Sequence, residues 1–226
     1  MQFSFYGHSS FLVEVKGIKI LFDPFFTGNP LAVSIDVNRV EADYIFLSHG
    51  HGDHSADIVS IAKRTGATVV AAAEIAGWLQ KQGIEKVHPV NHGGPVQFSF
   101  GKARAVNAVH SSSLPDGTYA GNPLGFVFTT TEGDFYFASD TGLTLDMQLI
   151  PLWAKLQFAV LPIGGNFTMD VQDAIYAADF IKCNTIIGVH YNTFGYIKID
   201  TDQAKQDFAS SGKTLLLPEV GETIEV

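Results

Sequence analysis

The 226 residues are 46% hydrophobic and only 16% charged, which provides for one large core and excludes a disordered or collagen-like chain. Lys and Arg number 14 against 23 Asp and Glu, and the resulting charge of −9 excludes a broad nucleic-acid surface built on phosphate neutralisation. A single cysteine, Cys183, excludes an internal disulfide framework and reads as a small buried apolar residue in a reducing compartment.

In chain order, Gln2 to Tyr6, SFLVEV and IKILFD read as short strands, with Lys16-Gly17 placed for a tight hairpin. YIFLS is a compact apolar strand running into the polar HGHGDH, and a helix with Ile58, Ile61 and Ala62 on one face follows, closed by Gly66. TVVAA, a helix in AEIAGWLQKQG and KVHPV repeat the alternation as βαβ units do. Next come two hairpins, VQFSF with ARAVNAVH around Gly101-Lys102 and GFVFTTT with DFYFASD around Glu132-Gly133. A helix near Thr144 to Leu152, the strand FAVLPIGG, a helix in DVQDAIYAADFIK, the strand TIIGVH, a helix in DTDQAKQDFASSG and the strands TLLLP and ETIEV complete the chain. No linker or repeat divides residues 1–226, so one domain is expected: an α/β (α+β) protein of two packed sheets with helices outside. The first residues carry no leader pattern, and no segment approaches about 18 uninterrupted apolar residues. The expectation is a cytoplasmic protein with no membrane insertion.

His49-Gly50-His51-Gly52-Asp53-His54 places three imidazoles and a carboxylate within six residues, just after an apolar strand. Imidazole nitrogen and carboxylate oxygen suit Zn²⁺, Mn²⁺ or Fe, and the glycines let the backbone turn sharply enough for side chains to converge. Six residues cannot close a site, and the spacing fits a shared two-metal cluster better than one tetrahedral ion, so further ligands must come from elsewhere.

The pattern His-X-His-X-Asp-His resembles the signature of the metallo-β-lactamase superfamily, which implies a four-layer αββα sandwich of two mixed β-sheets. The joint occurrence of GHSS, LSHGHGDH, SDTG, PIGGNFTM and GVHYNTF is most similar to a group of short uncharacterised metal-dependent hydrolases in its lactonase-like branch, which includes L-ascorbate 6-phosphate lactonase. The resemblance implies that His49, His51 and His110 bind one metal, that Asp53, His54 and His190 bind a second, and that Asp140 bridges them. His110, Asp140 and His190 each follow a predicted strand, although SDTG is also ordinary turn composition and either histidine suits a core position. The same resemblance puts His8 of GHSS at the mouth of the site, near substrate, as a catalytic or substrate-binding residue. Asp23, at the end of IKILF, reads as the acceptor for the outer N–H of a ligating histidine, or as a turn residue before Pro24. Asn166, Asn192 and Thr193 offer hydrogen bonds to a substrate oxygen or helix caps. His88 and His92 fall outside the pattern.

The expected cofactor is two divalent ions per chain, Zn²⁺ first, with Mn²⁺, Fe or Ni²⁺ compatible with the same ligands. The expected function is hydrolysis of an ester, lactone, thioester or phosphodiester bond in a small-molecule substrate by a metal-bound hydroxide, which Asp53 orients. A metal-binding or sensing module with little turnover and a di-iron oxidoreductase are the competing functions. No nucleic-acid partner is expected, and a homo-oligomer is compatible with the sequence.

Overall fold

The computed structural model describes all 226 residues and contains two seven-stranded sheets. The first is built from β1 (Gln2–Gly7), β2 (Ser10–Val15), β3 (Ile18–Phe22), β4 (Tyr44–Phe46), β5 (Thr68–Ala72) and β6 (Val87–Val90), with β14 (Thr223–Glu225) closing its edge beside β1. The second holds β7 (Val96–Phe98), β8 (Gly101–Asn107), β9 (Leu124–Thr130), β10 (Gly133–Phe137), β11 (Leu156–Pro162), β12 (Thr185–Val189) and β13 (Thr214–Leu216), in sequence order. Each sheet has the same plan. It begins with an antiparallel meander, of three strands (β1 to β3) in the first sheet and four (β7 to β10) in the second, and the last of these then pairs in parallel with strands reached through helical crossovers. The helices α1 (Gly52–Ser55), α2 (Ile58–Thr65), α3 (Ala73–Lys81), α4 (Val171–Phe180) and α5 (Thr201–Ser210) supply the crossovers, giving the mixed-sheet sandwich expected from the sequence.

Phenylalanine fills the interface between the sheets. Phe11, Phe22 and Phe46 are paired in register across β2, β3 and β4, while Phe128, Phe135 and Phe158 are paired across β9, β10 and β11. Within each row the rings stack, with centroids 4.4 Å apart for Phe11–Phe22 and for Phe128–Phe135. Between rows they meet edge to face, as in Phe22–Phe128 at 5.4 Å and 81°. Both geometries suit the aromatic quadrupole, and these phenylalanines form the core between the sheets. A second apolar layer lies between the outer face of β9 to β12 and helices α4 and α5, and Cys183 is buried in it. The segment Leu145–Leu152 is a 3₁₀ helix, a tighter turn than the sequence pattern indicates; Pro151, inside it, has no N–H to donate.

Strand direction fixes where function can sit. β1, β3 and β4 run one way in the first sheet, and β8, β10 and β12 run one way in the second, so within each sheet these strand ends open on a common edge. The residues that follow those six ends carry the chemistry.

Candidate metal centre

His8 follows β1, Asp23 follows β3, and the HGHGDH segment leads from β4 into α1; His110, Asp140 and His190 lie beyond β8, β10 and β12. Side chains from all these loops converge. The ligand atoms of His49, His51 and His110 lie within 4.8 Å of one another, and so do those of His8, Asp53, His54 and His190. Asp140 stands between the groups, its Oδ2 3.2 Å from His54 Nε2, 3.0 Å from His190 Nε2 and 3.8 Å from His110 Nε2.

The local backbone is forced to make this possible. Among the eight non-glycine residues with positive φ are His8 (57°), Asp23 (42°), Ser139 (64°) and His190 (56°), all in or beside the cluster. Left-handed backbone costs an ordinary residue roughly 1–2 kcal/mol, so its concentration here marks a geometry maintained by the surrounding fold. Gly50, between His49 and His51, packs where a Cβ would come within 2.6 Å of the Ala120 side chain and 2.8 Å of the Ser113 carbonyl. Gly164 is tighter still, since a Cβ there would lie 2.1 Å from the His190 carbonyl oxygen.

Outer partners determine which imidazole nitrogen faces inward. Asp23 is fully buried; its Oδ2 accepts from the Ser48 hydroxyl at 2.6 Å and from His54 Nδ1 at 2.8 Å, and its Oδ1 accepts from the Ser48 N–H at 2.8 Å. Having donated to Asp23, the Ser48 hydroxyl can only accept from His49 Nδ1, 2.9 Å away. The Thr193 hydroxyl likewise donates to the Tyr191 carbonyl and therefore accepts from His8 Nδ1 at 2.9 Å. His8, His49 and His54 thus all turn Nε2 toward the cluster.

That arrangement places acceptors against acceptors. His8 Nε2, His54 Nε2 and Asp140 Oδ1 are buried without a hydrogen-bond partner, and His8 Nε2 faces the Asp53 carboxylate at 3.3 Å. Burial pushes the His8 pKa down to about 4, only partly opposed by Asp53, so at neutral pH the ring carries no charge to offer that carboxylate. Burial also lowers the pKa values of His49, His51 and His110. Although burial favours the neutral form of Asp53 and Asp140, both carboxyls are held below their ordinary range, Asp53 by His8 and His54, Asp140 by His54 and His190. On His54 burial is overcome by Asp140 and Asp23, which raise its pKa well above the ordinary value; a proton there occupies the place of a cation between the same groups. A divalent cation would satisfy these inward lone pairs together, so the residues fit a metal centre.

His8 departs from the position expected of it. Rather than lying at the mouth, it is 0% exposed, enclosed by the rings of Phe25, Phe194, His54 and His190. Asp23 lies behind His54, its Oδ2 2.8 Å from His54 Nδ1. Asn192 Oδ1 accepts from the Ile199 N–H, and Asn166 is exposed; neither belongs to the converging groups. Thr193 acts through His8. The sequence reading missed Ser48, although its position immediately before the histidine motif is the signal that it sits at the same strand end. His88 and His92 stay outside both groups.

Residues 19–191 match the family described as the beta-lactamase superfamily domain. A protein of Flavobacterium johnsoniae described as a UPF0173 metal-dependent hydrolase is 54% identical over 226 residues, covering 100% of both chains. The chain belongs to the metallo-β-lactamase superfamily, as one of its metal-dependent hydrolases. Another UPF0173 metal-dependent hydrolase, from Christiangramia forsetii, is 52% identical over 100% of both chains. Among solved structures, Igni18, described as a novel metallo hydrolase of the hyperthermophilic archaeon Ignicoccus hospitalis, superposes with a TM-score of 0.89 at 33% identity, covering 100% of this chain and 98% of its own. An isothiocyanate hydrolase from Delia radicum gut bacteria shares the fold, with a TM-score of 0.83 at 19% identity and coverage of 100% and 99%. No helix of this superfamily member is long and apolar enough to cross a membrane.

Proposed function

We propose that the chain cleaves an ester, lactone, thioester or phosphodiester bond of a small molecule at a dinuclear centre. In this reading His49, His51 and His110 hold one ion, Asp53, His54 and His190 hold the other, and Asp140 faces both. The observation that carries it is the convergence of two groups of inward-facing donor atoms on one buried aspartate. When bound, such ions make water nucleophilic near neutral pH and polarise the oxygen of the scissile bond.

The chain's own residues do the rest. Asp23 and Ser48 fix the tautomers of His54 and His49, so the donor atoms are set before any substrate arrives. Asp53, with its side chain 33% exposed and its carboxyl ionised, is the acceptor placed to orient an incoming water. His51 and His110 are partly exposed while His49, His54 and His190 are buried, so substrate approaches over the His51 and His110 side. The Ser111 hydroxyl, exposed and 3.4 Å from His51 Nε2, lies on that approach.

The test pairs p-nitrophenyl acyl esters with bis-p-nitrophenyl phosphate, using protein reconstituted with Zn²⁺ or Mn²⁺ and His49→Ala as control, with metal content measured in parallel. The expected result is two ions per chain and metal-dependent turnover that His49→Ala loses together with metal. Two retained ions with no turnover on either class would instead support a binding module, and iron retention with oxygen consumption would support oxidative chemistry.

A further inference from the structure

We propose that His8 is a further protein ligand at the Asp53, His54 and His190 position, held in its ligating tautomer by Thr193, so that the two metal positions are unequal. The inference rests on the dinuclear reading above.

Geometry carries it. The His8 ring has two nitrogens, and Thr193 fixes the role of one: the hydroxyl donates to the Tyr191 carbonyl, so it accepts from His8 Nδ1–H. In the neutral ring that leaves a lone pair on Nε2. Nε2 is buried and without a hydrogen-bond partner, and it faces Asp53 Oδ2 at 3.3 Å. Two acceptors at that separation repel unless a cation stands between or beside them. His54 and His190 complete the surroundings, with ligand atoms of all four residues within 4.8 Å. Nor is the ring free to serve elsewhere, since Phe25 and Phe194 pack against it with centroids at 5.7 and 5.3 Å, and its backbone carbonyl accepts from the His190 N–H at 2.9 Å. A role in contacting substrate at the mouth requires exposure, and His8 has none.

The consequence is a division of labour. Apart from Asp140, which faces both, the position with His8 has four protein side chains, three of them fully or almost fully buried, whereas the His49, His51 and His110 position has three, two of them partly exposed. The former retains its ion under chelation, and the latter is the exchangeable one with room for substrate oxygen.

The experiment loads wild-type, His8→Asn and Thr193→Val proteins with Co²⁺ and follows release to dipicolinate, the Co²⁺ absorption bands and the hyperfine-shifted exchangeable imidazole N–H resonances. Asn is chosen because it tolerates the positive φ of 57° at this position. Expected for His8→Asn is the loss of one shifted N–H resonance and weaker retention of one ion, with the other ion unaffected. Thr193→Val keeps the ligand and removes its orienting acceptor, with an expected loss of about 10–100-fold in affinity at that position. Far-UV circular dichroism establishes that each variant is folded; if His8→Asn is not, Thr193→Val decides, and unchanged affinity with an unchanged N–H spectrum overturns the proposal. Wild type with two ions and a folded His8→Asn of identical spectrum and retention overturns this inference alone. Wild type holding fewer than two ions overturns the dinuclear reading and this inference with it.

Discussion

Replacing Asp23 by Asn changes one atom in a fully buried carboxylate that accepts from His54 Nδ1 and from Ser48, which makes it a probe of positioning. The carboxylate accepts three hydrogen bonds, from the Ser48 N–H on Oδ1 and from the Ser48 hydroxyl and His54 Nδ1 on Oδ2. An amide in the same place has one accepting oxygen and one NH₂. If the NH₂ replaces Oδ1, it meets the Ser48 N–H donor to donor, at about 1–3 kcal/mol for the orphaned group. If it replaces Oδ2, His54 must accept on Nδ1 and carry its proton on Nε2, which disables the nitrogen that faces Asp140. Either way metal affinity falls by roughly 10–100-fold, equivalent to about 1.4–2.7 kcal/mol. Competition with a chromogenic chelator measures the affinity, and urea unfolding in EDTA measures the metal-independent part, expected at about 1–3 kcal/mol. Wild-type affinity together with wild-type stability in Asp23→Asn would refute the tautomer argument.

Gly164→Ala should displace the His190 carbonyl, 2.1 Å from the new Cβ, and lower metal content, whereas Gly77→Ala, in open space on α3, should add about 0.5–1 kcal/mol and leave metal binding alone; equal metal content in the two variants would contradict this. Phe22→Ala, at the centre of the ring array, should cost about 3–5 kcal/mol in a urea melt, and a loss below about 1 kcal/mol would show that the array is not cooperative. In metal-stripped protein, the lowered pKa values of His8, His49, His51 and His110 mean that the unfolded chain binds more protons than the folded one as pH falls below the ordinary value of 6.5, a difference that for His8 lasts down to its folded-state value of about 4. Stability should therefore drop between pH 7 and 5. His54 acts in the opposite sense, its contribution present below 6.5 and lost as pH rises through its raised pKa. Four groups outweigh one, and a flat urea midpoint across that range would reject the assignment.

Most strands were legible because their apolar runs end at Gly, Asp or Pro, and the HGHGDH loop was legible because the ligating types are contiguous. His110, Asp140 and His190 came from the family resemblance, with their place just beyond predicted apolar strands in support, and the structure brings their side chains beside the HGHGDH segment. His8 was misplaced for a physical reason: a turn residue's depth depends on what packs over it, here Phe25 from after β3 and Phe194 from after β12, both distant in sequence. Ser48 went unnoticed because a serine's role as relay depends on a carboxylate 25 residues earlier. Asn192 shows the converse, a polar residue beside a site whose oxygen is used by the Ile199 N–H for loop closure.

Both groups of donor atoms draw on both sheets. His8, His49, His51, Asp53 and His54 come from the ends of the first, and His110, Asp140 and His190 from the ends of the second. An ion bound to either group is thus a rivet across the seam, and the halves cannot part like the covers of a book while it stays in place. Metal release is then tied to breathing of the sandwich at one rim, and amide exchange should slow on metal loading at the strand ends of both sheets together, while the opposite rim keeps its own rhythm.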